Sequence, residues 1–156
     1  MEARLNSAKP MRSGIAGMLS RDSGNIVESY VLKYDFVEAD ENFATPSRVV
    51  SLASDGTVYP GNTGTDTVLG ILVGNMRVVS DGQQSWFKSG DTVEVLRAGY
   101  IFGNIDGGSA TLFANVKYEK KSDKTMMTGT DLPKAKVQKV GESNDPQLVE
   151  LYVDFR

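Results

Sequence analysis

From residue 26 onward, apolar side chains return at every second position, and turn residues cut the pattern at short intervals. Tyr30, Leu32, Tyr34 and Phe36 have Val31, Lys33 and Asp35 between them, and Val149, Leu151, Val153 and Phe155 repeat the pattern. A period of two sends neighbouring side chains to opposite faces of an extended chain, so each such segment can bury one face. No window of about 11 residues carries a helical stripe. Gly and β-branched residues interrupt the helix formers throughout. Many short strands divided by turns predict an all-β fold, a compact β-barrel or β-sandwich.

The expected strands follow from the same pattern. Residues 47–53 form one, closed by Ser54-Asp55-Gly56-Thr57. Residues 67–73 are almost continuously apolar, which predicts burial on both faces. Residues 76–80 and 85–88 are short candidates, and 92–97 alternates before Ala98-Gly99, read as a turn into 100–105. Asp106-Gly107-Gly108 then leads into 109–118, with Leu112, Ala114 and Val116 on one face; 135–140 and 148–155 complete the set. The Asp-Gly pairs at Asp55, Asp81 and Asp106 suit tight hairpins, because Gly accepts positive φ and Asp tolerates it.

The chain of 156 residues suits one domain, which buries roughly 70% of the surface its unfolded form exposes. It contains no Cys and no His. Disulfides, zinc–thiolate sites, cysteine nucleophiles and the Ser-His-Asp arrangement are thereby excluded. Glu38, Asp40 and Glu41 are the remaining carboxylate cluster, and acidic loop clusters are usually just solvated. No glycine-rich phosphate loop opens a helix, and each Asp-Gly turn offers too few oxygens for calcium. The expectation is a protein without cofactor, metal or catalytic site, which works by binding other proteins. The start, MEARLNSAKPMRSG, has no apolar run of signal-peptide kind, and no stretch approaches a membrane span of about 20 residues. Use in a cytosol, or in a particle assembled there, is expected.

Charge is unevenly spread over a net of −3. Residues 1–25 carry +2, 26–116 carry −6, 117–139 carry +4 and 140–156 carry −3. An acidic body argues against direct nucleic-acid binding, and opposed patches suit docking of a copy on an oppositely charged neighbour. Residues 1–25 are Gly- and Ser-rich yet hold Met11, Ile15, Met18 and Leu19, so they read as an extended N-terminal arm that packs on its own body or a neighbour. Residues 26–156 read as a single β domain. A charged surface loop is expected at about 119–133, with Met126 and Met127 as its only apolar pair apart from Leu132. Trp86 and Phe87 are consecutive, so on a strand one fills the core and the other faces out as a candidate interface anchor.

The order of four segments resembles the cement, or head decoration, proteins of tailed bacteriophages. They are PMRSGIAGMLSRDSGN, VVSLASDGTVYPGNTGTDTVLGILVG, FKSGDTVEVLRAGYIFGNI and LVELYVDF. The resemblance spans about residue 10 to the end and rests on loose Gly, Asp and β-branched patterns. It implies a small β-rich subunit, often a trimer, that binds the major capsid protein on the outside of the shell, bridges capsomers and resists internal pressure. It implies a place on the virion exterior after assembly in a host cytoplasm, and an arm that reaches a neighbour. The contact candidates on this chain are Arg4, Met11, Arg12, Ile15, Met18, Leu19 and Arg21, with Trp86 and Phe87 on the body. Another phage structural module, from tail or baseplate, and a carbohydrate-binding or adhesin-like module are the alternatives.

Overall fold

The computed structural model describes residues 16–34, 44–61, 67–74, 87–106, 110–118, 126–129, 132–140 and 148–156. Among them the chain is all-β without a helix, and its strands form one sheet curled into a half-barrel. The strands are β1 (Ile26–Val31), β2 (Val49–Leu52), β3 (Val58–Pro60), β4 (Thr67–Val73), β5 (Thr92–Asp106), β6 (Asn115–Tyr118), β7 (Met126–Thr128), β8 (Leu132–Lys139) and β9 (Leu148–Asp154). Hydrogen-bonded neighbours run β3-β2-β4-β5-β7-β6-β8-β9; β1 also pairs with β5, and β9 returns to β5.

The 15-residue β5 organises the molecule. Its first half pairs with β1 and β4, and its second half pairs with β9. The expected turn at Ala98-Gly99 is absent, and the strand runs straight through. Its place is taken by a β-bulge. The register with β1 steps from Ile26↔Ala98 to Val27↔Leu96, which leaves Arg97 as the extra residue. An extra residue reverses which side chains face inward beyond it. Leu96 and Ile101 differ in parity, yet both enter the same core.

Strand β4 shows the same device. Its pairing with β2 steps from Val50↔Gly70 to Ser51↔Val68, so Leu69 is extra. Leu69 and Ile71, two residues apart, consequently face different cores. Residues from Leu69 to Val73 are all buried, as the continuous apolar run predicts. The larger core gathers Ile71, Leu96, Ile101, Val137, Leu151 and their neighbours. The smaller gathers Leu32, Val50, Leu72, Phe87, Val93 and Val95 with theirs. Val149, Leu151, Val153 and Phe155 all point into the larger one.

Local chemistry sets the β2–β3 hairpin. The backbone N–H and hydroxyl of Thr57 donate to Asp55 Oδ1 at 3.0 and 2.6 Å. Those bonds, with the Lys33 ammonium, hold the Asp55 carboxyl down at about 2. Gly56 supplies the positive φ of 84°. Opposite this hairpin, Tyr118 on β6 receives a hydrogen bond on Oη from the buried Arg48 guanidinium at 3.3 Å.

Two further stretches depart from the sequence reading. The strand expected over 109–118 begins only at Asn115, because Thr111 accepts from the Ala114 N–H and the chain turns there. Leu112 is therefore outside the core, while Val116 is inside. The loop expected at about 119–133 contains β7, which pairs parallel with Ile105 and Asp106 and antiparallel with β6. It ends where β8 begins at Leu132. The candidate strand at 76–80, the first half of that at 85–88, and the Glu38, Asp40 and Glu41 cluster lie outside the described residues.

Candidate functional site

Where the arm meets the body, the geometry is well defined. Residues 17–25 lie along β5 and satisfy every backbone group of Tyr100 and Phe102. Gly17 N–H donates to Phe102 O at 2.7 Å, and Phe102 N–H donates to Met18 O at 2.9 Å. Ser20 N–H donates to Tyr100 O at 3.1 Å, and Tyr100 N–H donates to Asn25 Oδ1 at 3.0 Å. An edge of β5 that would otherwise stay open is thus closed by its own chain. Glycine is required on both sides of the contact. A Cβ on Gly99, at φ 135°, would overlap Asn25; one on Gly17, at φ 91°, would overlap Pro46.

Side chains pin the same segment. The Arg21 guanidinium lies 3.7 Å from the centre of the Tyr100 ring, an arrangement that the ring's negative face favours. Its Nη2 and Nε donate to the two carboxylate oxygens of Glu150 at 2.9 and 3.3 Å. Tyr100 in turn packs on Tyr152, with ring centres 5.1 Å apart. Burial alone would raise the Glu150 pKa. The hydrogen bonds from Arg21, with the Arg21 and Lys139 charges, outweigh it and leave the carboxyl below its ordinary 4.5. The Arg21 guanidinium is raised by its hydrogen bonds to Glu150.

The candidate residues separate accordingly. Arg4, Met11, Arg12, Ile15 and Trp86 lie outside the described residues. Met18 is exposed. Leu19 pairs with Ile101 and packs against the larger core. Arg21 is brought together with Tyr100, Tyr152 and Glu150, three residues that the sequence did not single out. Phe87 is 2% exposed and fills the smaller core. It is the inward member of the Trp86-Phe87 pair.

A second surface combines lysines of the cationic stretch 117–139 with an apolar pair that the sequence reading missed. Leu112 and Phe113 protrude from the turn before β6, beside exposed Lys117, Lys134, Lys136 and Lys139 on β6 and β8. A signal for it existed: with Leu112 read as inward on a strand, Phe113 falls on the outer face. Among the described residues no group of three or more His, Cys, Asp or Glu is placed to hold a metal ion.

Residues 6–148 match the family described as XM1 gp53 minor capsid protein. No curated protein matches the chain. The match covers the arm–body contact apart from Glu150 and Tyr152, the Leu112–Phe113 knob with its lysines, and the β body up to the start of β9. The chain belongs to the XM1 gp53 minor capsid protein family, and so to the structural proteins associated with a phage capsid in the virion.

Proposed function

We propose that this capsid component is a cement or decoration protein. It binds the major capsid protein on the outer surface of the shell, bridges neighbouring capsomers and stabilises them as a homo-oligomer, a trimer. The observation that carries the reading is the pinned base of the arm. Residues 17–25 are fixed to β5 by four backbone-directed hydrogen bonds and the Arg21–Glu150 pair. Residues 1–15 therefore leave from a fixed point on a rigid body. They carry Arg4, Met11, Arg12 and Ile15, a mixture of cationic and apolar side chains suited to a protein surface. A bridge needs such an anchor, because force on the arm must reach the body without unravelling it. Symmetry then multiplies modest contacts, since linked sites bind far more tightly than one alone.

The test is co-sedimentation with purified capsids, using the full chain and a truncation lacking residues 1–15. The full chain is expected to sediment with shells and raise their melting temperature. The truncation is expected to remain folded and bind shells more weakly. Sedimentation with tails but not heads would overturn the reading, as would equal shell binding by the truncation.

A further inference from the structure

The turn before β6 displays an apolar knob. Phe113 is 65% exposed, Leu112 48%, and Val140 at the end of β8 is 40%. The Phe113 N–H donates to Val137 O at 2.7 Å, which fixes the turn to β8 within three residues of Val140. Phe113 has a φ of 62°, in the left-handed region that bulky side chains avoid. Strain that holds a large apolar side chain out in water marks a contact site more readily than a packing solution.

Lysines rim the knob. Lys117 on β6 and Lys134, Lys136 and Lys139 on β8 are all exposed, and Asn115 opposite Lys136 makes the two strands neighbours. The carboxylates facing them across β9 are Glu150, near Lys139, and Asp154, near Lys134. Both are already engaged, by Arg21 and Arg156. The rim therefore stays net cationic and suits an anionic surface with an apolar centre.

The start of β5 offers a matching face on the same chain, apolar at Val31 and anionic at Glu94. At the start of β5, Thr92 pairs with Val31 and Glu94 pairs with Ser29. Cross-strand partners share a face, and so do residues two apart on one strand. Val31, Ser29, Thr92 and Glu94 thus form one patch; all four are exposed, Val31 by 47%. The patch lies in the stretch 26–116, which carries −6, whereas the knob's rim lies in 117–139, which carries +4.

The geometry points to a head-to-tail contact between two copies of this chain, with the Leu112–Phe113–Val140 knob and its lysine rim on one copy seated on the Val31–Glu94 face of the next. Two different faces meeting in this way generate a ring when the rotation closes. The inference deepens the homo-oligomer part of the proposed function and does not depend on shell binding. A nucleic acid would engage the lysines but leave the knob in water.

The experiment is sedimentation velocity of the full chain across a concentration series, with capsid co-sedimentation scored separately so that failure of the two readings can be told apart. Glycine accepts φ 62° without strain, so Phe113→Gly removes the knob and keeps the turn. Wild type is expected to self-associate, and Phe113→Gly to weaken association by roughly tenfold or more. Lys136→Glu with Lys139→Glu is expected to do the same, and adding Glu94→Lys to that pair to restore it. The contact is overturned if wild type stays monomeric, if folded Phe113→Gly associates as wild type does, or if Glu94→Lys restores nothing. DNA retention by wild type without self-association also overturns it. Should Phe113→Gly fail to fold, the charge variants, all at exposed positions, decide the matter.

Discussion

Residues 16–25 and residues 110–114 are both irregular segments that lead into a strand, and they behave in opposite ways. The first gives its backbone to β5, tucks Leu19 against the larger core and closes an edge. The second makes two bonds to β8, both to Val137, and turns two large apolar side chains outward. Composition would have ranked them the other way: a Gly- and Ser-rich stretch looks loose, and a Leu-Phe pair looks like core. The difference lies in hydrogen-bond demand. Tyr100 and Phe102 present four backbone groups that need partners at a half-buried sheet, and the 17–25 segment is the chain that reaches them. The strands beside Leu112 and Phe113 already have theirs.

The comparison breaks most visibly on truncation. Removal of residues 1–25 should cost about 4 kcal/mol or more relative to removal of residues 1–15, since four hydrogen bonds and the Leu19 contact disappear together. Urea denaturation of the two truncations measures the difference. Equal midpoints would mean that 16–25 is as dispensable as its composition suggests.

Gly99→Ala should come next, with a loss of about 2–3 kcal/mol, because the new methyl meets Asn25 and the φ of 135° is unfavourable for any side chain. Hydrogen exchange at the Tyr100 and Phe102 amides is the sharper readout: both should lose protection while the β8 amides keep theirs.

Arg21→Ala should have a smaller effect, a fall in Tm on the order of 2 °C, since the pair is partly solvated. Its pH dependence identifies it. The Glu150 pKa lies below 4.5 in the folded protein, so the contribution is complete above pH 4.5 and declines as pH falls through the lower, folded value. The gap between wild type and Arg21→Ala should therefore close in acid; a gap that widens there would refute the assignment. Phe113→Gly should have the smallest effect on stability. A Tm equal to or slightly above that of wild type is expected, because the side chain is mostly exposed and the substitution relieves the backbone. A large fall would mean that the knob belongs to the core after all.

The sequence made the strands legible wherever a strand's own residues decide its environment. β4 reads as buried on both faces, β9 alternates cleanly, and Asp55-Gly56 turns as its chemistry dictates. The bulges at Leu69 and Arg97 were not legible, because a bulge is a mismatch between two strands and neither strand records it alone. Ala98-Gly99 misled for this reason: Gly99 does adopt positive φ, but inside a continuing strand. Of the candidate residues, Arg21 and Leu19 are described at the arm–body contact, yet their partners Glu150, Tyr100 and Ile101 lie far away in sequence. Buried Arg48, which donates to Tyr118, shows the same limit, since its partner is 70 residues distant. The step from a protein-binding β body to a phage capsid came from the order of motifs, and the family match supports it at that level.

Strand β5 is a wall of both apolar cores, and the bulge at Arg97 is what lets one strand serve both. Neither core can open while the other keeps that wall. Two clusters that could have melted separately are thus bound to a single transition, and amide protons along 93–105 should exchange only through one common opening. Tension entering at one end of the strand has no seam at which to peel.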